Sequence, residues 1–165
     1  MASLSSEADR PLQVVSVSLG SASRDKVVEV TLLGRRVRLD RRGTGGDLDR
    51  AIALVAELDG QVDAFGLGGT DLYVWAGGRR HVVRDAARIA AAARRTPILD
   101  GSGLKNTLER EALRRLDESG AVPLTGRSAL LVSAVDRFGM AEALWERCGR
   151  VTYGDLMFAL GLPLP

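Results

Sequence analysis

The chain of 165 residues is poor in the side chains on which most metal and redox chemistry depends. A single cysteine, Cys148, excludes an internal disulfide and any multi-cysteine metal site, and it reads as a small buried side chain. A single histidine, His81, rules out a histidine-rich centre, so no metal is expected. Lysine occurs only at Lys26 and Lys105, so nearly all of the 23 basic residues are arginine. Aromatic residues make up only 4%, which leaves the core to Val, Leu, Ile and Ala. No run approaches the roughly 20 apolar residues of a membrane span. The opening segment Met1 to Pro11 is polar and acid-containing, unlike a secretory signal. It is expected to be a disordered tail over 1–11, with the cytoplasm as the compartment and no membrane partner.

What is present is an ordinary globular balance, 45% hydrophobic and 27% charged. The net charge is +2, and arginine pairs such as Arg35-Arg36 and Arg114-Arg115 are scattered among acids. A nucleic-acid surface gathers its cations on one face, so no nucleic-acid partner is expected. The expected partner is a small molecule, and a homo-oligomer is left open.

Hydrophobic patterning predicts an α/β chain: an N-terminal mixed sheet with helices, followed by a Rossmann-like βαβ unit. Leu12 to Ser18 reads as a buried strand, Lys26 to Leu33 as a second, and Arg35 to Asp40 as a third after a turn at Gly34. Asp47 is placed to cap a helix from Leu48 to Leu58, which Asp59-Gly60 stops. Val62 to Leu67 is a strand ending among glycines. A hairpin over Leu72 to Val83 turns at Gly77-Gly78. A helix is predicted over Asp85 to Arg94, a strand over Pro97 to Leu99 and one long helix over Leu104 to Leu116. Ser128 to Ser133, Gly139 to Arg147 and Arg150 to Tyr153 follow as strand, helix and strand. The expected organisation is therefore a lobe over 12–95, a bridging strand, loop and helix over 96–124, and a βαβ unit over 125–165. Two parallel strands are few for a stable sheet, so that unit is expected to be incomplete and the chain to be the front of a longer protein.

Four segments have the composition of ligand loops. Ser133 to Gly139, between a strand and a helix, has the order of a dinucleotide fold, with Asp155 about 20 residues on to bond ribose hydroxyls. Ser133, Arg137, Gly139 and Asp155 are the candidate cofactor residues, although only one glycine of the usual fingerprint is present. A generic βαβ unit with Asp155 as a turn residue is the plainer alternative. Asp100 to Thr107 also joins a strand to a helix. Lys105 beside Asp100 is the candidate proton-transfer pair, with Ser102, Asn106 and Thr107 as hydrogen-bonding groups. The alternative is a capping loop with a solvated lysine. Gly68, Gly69 and Asp71 form a glycine-rich strand end suited either to a substrate or to a plain turn. Ser18 to Lys26, read as a Ser/Gly hairpin turn, could carry a phosphate or simply connect strands.

These segments carry a resemblance. VSVSLGSASRDK (Val15 to Lys26), GLGGTDLY (Gly66 to Tyr73), DGSGLKNTLER (Asp100 to Arg110) and VSAVDRFGMA (Val132 to Ala141) are similar to a bacterial family of the Deinococcus–Thermus type known as quinate 5-dehydrogenase. Tyr153 to Leu156 belongs with them. The resemblance implies NAD- or NADP-dependent oxidation of a ring hydroxyl on a small cyclic hydroxy acid. The wider quinate and shikimate dehydrogenases use a catalytic Lys–Asp pair and a C-terminal dinucleotide lobe. Their Lys and Asp lie further apart in sequence than Asp100 and Lys105 do. Members of the family run longer than this chain.

The expected activity is therefore an oxidoreductase in which Asp100 and Lys105 polarise a hydroxyl. Two readings compete with it. One is an ATP-binding protein of the sugar-kinase or actin-like type, with phosphates at the Gly20 to Lys26 turn. The other is a small-ligand-sensing module without turnover.

Overall fold

The computed structural model describes residues 10–160. Residues 1–9 of the expected tail, and 161–165 at the end of the expected βαβ unit, lie outside the described residues. In chain order the elements begin with β1 (Leu12–Ser18), β2 (Lys26–Leu32), β3 (Arg35–Gly43), α1 (Leu48–Leu58) and β4 (Ala64–Gly68). They continue with β5 (Tyr73–Ala76), β6 (Arg79–Val82), α2 (Arg84–Ala90), β7 (Ile98–Leu99) and α3 (Ser102–Asn106). The last are α4 (Leu108–Glu118), β8 (Ser128–Leu131), α5 (Phe138–Arg147), β9 (Arg150–Tyr153) and α6 (Asp155–Leu160). They divide into two compact units, each made of two stretches of chain. The first runs up to Leu72 and resumes over Val82–Asp100; the second is Tyr73–His81 with the chain from Gly101 onward. The segment 96–124, read from sequence as a bridge, is shared between them.

The first unit holds a mixed five-stranded sheet of order β2-β3-β1-β4-β7. β1 pairs in parallel with β3 and β4, β4 pairs in parallel with β7, and β2 joins β3 antiparallel. The expected hairpin between the first two strands is not formed, because β1 and β2 are not neighbours. A 3-10 turn over Ala22–Arg24 carries the chain to the sheet edge instead. The turn proposed to carry phosphate has no hairpin to lie across.

Period-two alternation sends Val15 and Val17 of β1, and Phe65 and Leu67 of β4, to the face that carries α1 and α2. There they bury against Ala51, Val55, Ala86 and Ile89, which are fully covered. Each large aliphatic or aromatic side chain so removed from water contributes roughly 1.5–3 kcal/mol. Asp47 caps α1 as its position predicts, its carboxylate accepting the Arg50 N–H at 2.9 Å. The second helix ends at Ala90, earlier than the alanine run suggests. Beyond it, the Asp59 carboxylate accepts the backbone N–H groups of Arg94, Arg95 and Thr96 and turns the chain into β7. The carboxyl ends of β1, β3 and β4 come together, with Ser18 opposite both Gly43 and Gly68. β1 connects toward one side of itself and β3 toward the other, the arrangement at which open α/β sheets form crevices.

In the second unit β5 and β6 form a hairpin. Its turn residues Gly77 and Gly78 both take positive φ, 58° and 74°, as a two-residue hairpin turn requires. β8 and β9 pair in parallel, Ser128 opposite Arg150, with α5 connecting them. The long helix predicted from Leu104 is two helices. At the break, Thr107 has φ −104° and ψ −67°, and its hydroxyl donates to the Gly103 carbonyl at 2.8 Å. Thr-to-backbone bonding of this kind competes with the helical ladder. Among the described residues no helix is long and apolar enough to cross a membrane.

Candidate functional site: a lysine–aspartate pair

The clearest chemical grouping lies in the second unit, where the Lys105 ammonium forms an ion pair with the Asp136 carboxylate. Lys105 stands near the end of α3, and Asp136 lies on the loop between β8 and α5. The side chains are 15% and 33% exposed, so the pair is held inside the unit yet reachable from outside.

The residues expected to cradle a dinucleotide build the frame of this pair. The Asp155 carboxylate accepts the N–H groups of Ala134 and Val135 at 3.0 and 2.9 Å, fixing the loop just before Asp136. The Ser133 carbonyl accepts the Arg137 N–H at 3.0 Å and closes the turn. Arg137 reaches Asp136 with its Nε at 3.3 Å and forms an ion pair with Glu109 of α4. Gly139 is needed for a different reason from the one its place in the loop suggests. A Cβ there would meet the Lys105 carbonyl oxygen at 2.2 Å and the Asn106 Cα at 2.9 Å. The bare glycine lets α5 lie directly on the backbone of α3, which brings Asp136 to Lys105. The Asp155 carboxylate and the Arg137 guanidinium are thus engaged within the unit.

Around the pair, Asn106 Oδ1 accepts a hydrogen bond from Arg110 at 2.9 Å, and Arg110 also pairs with Glu142. Glu109 Oε2 and Arg110 Nε are buried without a hydrogen-bond partner among the described residues. Unused buried polar atoms are uncommon in folded proteins. Ser102 opens α3 and is 2% exposed; the N-cap position is taken by Gly101, whose φ is +83°. Asp100, the expected partner of Lys105, lies in the first unit and accepts the Leu72 N–H at 2.7 Å. Asp136 is not among the candidates that the sequence singles out. The signal that could have found it is that it is the acid closest to the α5 start, on a loop leaving a strand end.

The other predicted residues belong to the carboxyl edge of the first unit's sheet. Gly68 O accepts the Leu19 N–H at 3.0 Å, and the Gly45 and Gly46 N–H groups donate to Gly20 O and Leu19 O. Gly69, at φ +76°, would bring a Cβ within 3.2 Å of the Gly20 nitrogen. At Gly43 a Cβ would lie 2.6 Å from the Ser21 carbonyl. These glycines allow loops to touch one another. Arg41 donates to Ser18 Oγ at 3.0 Å and to Asp25 Oδ1 at 2.6 Å, and Asp25 also takes the Gly43 N–H. Ser18 and Thr44 are buried beneath. Asp71 is half-buried on the loop before β5. Gly68, Gly69 and Asp71 fall in the first unit, and Ser102, Asn106 and Thr107 in the second. Among the described residues no three of His, Cys, Asp and Glu gather where a metal ion could sit.

Comparison with known proteins gives two family matches. Residues 103–165 match the model described as a domain of unknown function, DUF8754. No curated protein matches the chain. Residues 13–100, more than half of the chain, match a second model of the same kind, and the chain accordingly belongs to the family described as a domain of unknown function, DUF8753.

Proposed function

We propose that Lys105 and Asp136 are the proton-transfer pair of a dehydrogenase-type site acting on a hydroxyl of a small cyclic hydroxy acid, of the quinate or shikimate kind. The observation that supports this is the ion pair itself, formed between residues well separated in sequence, as in the dehydrogenases that the chain resembles. An ammonium held by a carboxylate can donate a proton to a carbonyl oxygen in reduction. In the oxidative direction the pair takes the hydroxyl's proton. Arg137, paired with Glu109 and reaching Asp136, keeps the carboxylate oriented.

A dehydrogenase also needs a hydride acceptor, NAD or NADP in the related enzymes. Of the candidate cofactor residues, Arg137 and Asp155 already hold the frame of the pair, so no step is assigned to a cofactor there. That commitment favours a second reading, a module that binds the hydroxy acid without turnover.

The test is turnover by the purified chain with quinate or shikimate and NAD or NADP, beside thermal unfolding with each acid at about 1 mM, a concentration that reveals binding well above the dissociation constant. Turnover that falls about 10²–10⁴-fold in Lys105→Met and Asp136→Asn, in variants that keep the circular dichroism of the folded chain, is the expected result. Stabilisation without turnover selects the binding module. Neither turnover nor stabilisation with either acid overturns both.

A further inference from the structure

Aromatic side chains are few in this chain, and all but Phe65 fall in the second unit. Two cavities of about 480 and 370 Å³ lie along α5 and share Ala141, Glu142 and Tyr153, so they form one groove. Trp145 lines the larger part, and Trp75 and Phe138 line the smaller. Trp145 is 69% exposed and Tyr153 43%, an unusual amount of aromatic surface left in water by a protein so short of it.

The charges along the groove are of one sign. Glu142, Glu146 and Asp155 line it, and among the described residues no arginine or lysine does, in a chain with 23 basic residues. Cavities of the first unit mix the two signs instead: Arg42 and Arg50 with Asp25 and Glu57, Lys26 and Arg41 with Asp40, and Arg88 and Arg94 with Asp59. Glu142 is tied to Arg110, and Glu146 has Arg147 at 3.2 Å. Asp155 receives backbone N–H bonds, which leave its negative charge in place. The unit already shows a guanidinium over an aromatic face: Arg80 Cζ sits 4.5 Å from the Tyr73 centroid and 5.9 Å from that of Trp75, the one of these two rings that lines the groove.

We propose that this groove binds an organic cation, a quaternary ammonium or guanidinium group, against the faces of Trp145 and Tyr153. Electron-rich ring faces beside carboxylates are the arrangement that attracts such ions. The group could arrive on a free small molecule or on an arginine side chain of a peptide, and the experiment separates the two.

Trp75 and Trp145 are the only tryptophans, so intrinsic fluorescence of the whole chain reports on the groove directly. The probes are choline, its uncharged isostere 3,3-dimethylbutanol, and the peptide acetyl-Gly-Arg-Gly-amide with its Gly-Gln-Gly counterpart. Saturable fluorescence change with choline, absent with the alcohol, assigns a free cation. A change with the arginine peptide alone assigns a peptide-borne one. In either case Trp145→Ala, at an exposed position and checked by circular dichroism for an intact fold, should weaken binding about tenfold. Glu146→Gln weakens it less. Equal response to the charged and uncharged members of each pair, or no saturable response to any probe, overturns the proposal. None of these readouts depends on Lys105 or Asp136, so it stands or falls apart from the hydroxy-acid reading.

Discussion

The first unit packs Val15, Val17, Phe65 and Leu67 of its sheet against helices that bring Val55 and Ile89, and this aliphatic layer is one continuous cluster. The second buries Leu131, Phe138, Ala143 and Leu144 and spreads its other contacts over ion pairs and ring stacking. Phe138 stacks on Trp75 at 5.7 Å and tilts against Tyr73 at 6.0 Å. Arg114 ties Glu111 to Glu118, Arg147 reaches Asp117, and Arg137 holds Glu109. The contrast teaches where each unit is vulnerable. One fails when volume is removed from its core, the other when backbone approach or charge is disturbed.

The largest expected effect is in the first unit. Phe65→Ala empties the centre of the cluster and should cost about 3–5 kcal/mol, seen as a lowered unfolding transition in calorimetry. A loss under about 1 kcal/mol would mean that the cluster collapses into the gap and the contrast is wrong. Next comes Gly139→Ala, where the new methyl group meets backbone that cannot give way. Overpacking of this kind costs about 1–3 kcal/mol, and it should separate α5 from α3 and weaken the Lys105–Asp136 pair with it. Chemical denaturation measures the first, and loss of any hydroxy-acid binding the second.

Acid sharpens the comparison. Hydrogen bonds from Arg114 and then Arg115 hold the Glu111 carboxyl at about 2, well below its ordinary value. Its contribution is complete above the unfolded value near 4.5 and fades as the pH falls through about 2. In the first unit Asp59 is also depressed. Burial pushes it up, but the backbone N–H groups of Thr96, Arg95 and Arg94 together outweigh that. Both units should therefore lose stability in acid. Salt should diminish the effect in the second, where the partners are exposed arginine side chains, and leave it in the first, where they are amides. Acid titrations of unfolding at low and high salt check this, and equal salt sensitivity would remove the distinction. The smallest effect is a gain. Gly103→Ala, in α3 with open space around it, should stabilise by about 0.5–1 kcal/mol in denaturant titrations.

What could be read from sequence was local. The β2–β3 turn at Gly34, the Asp47 cap and the glycine hairpin follow from residues adjacent to one another. The partner of β1 did not, because a parallel pair is set by a distant strand, and alternation in Val14 to Val17 fits either neighbour. The single long helix failed at Thr107, whose side chain bonds back to Gly103 without disturbing the apolar spacing. The site was half legible. Lys105 stood out by rarity, but the Asp136 carboxylate that pairs with it lies on another element, 31 residues on, where no local pattern in the sequence points to it. Gly139 and Asp155 stood out as candidate cofactor residues; in the structure Gly139 lets α5 lie on α3, and Asp155 clamps the loop before Asp136.

The β5–β6 hairpin has a consequence for how this chain is made and inherited. The Trp75 N–H donates to the Val135 carbonyl, so the hairpin's place is among residues synthesised much later. On the ribosome it must wait, its two rings without their ring partner, until Phe138 emerges. The boundary between the two family matches, at residues 100–103, falls after the hairpin. A gene cut at that boundary would give the downstream piece no Tyr73 and no Trp75, and leave the upstream piece displaying both. Chains that carry the downstream family should therefore carry the upstream one too, because Tyr73 and Trp75, which pack on Phe138, come from the upstream match.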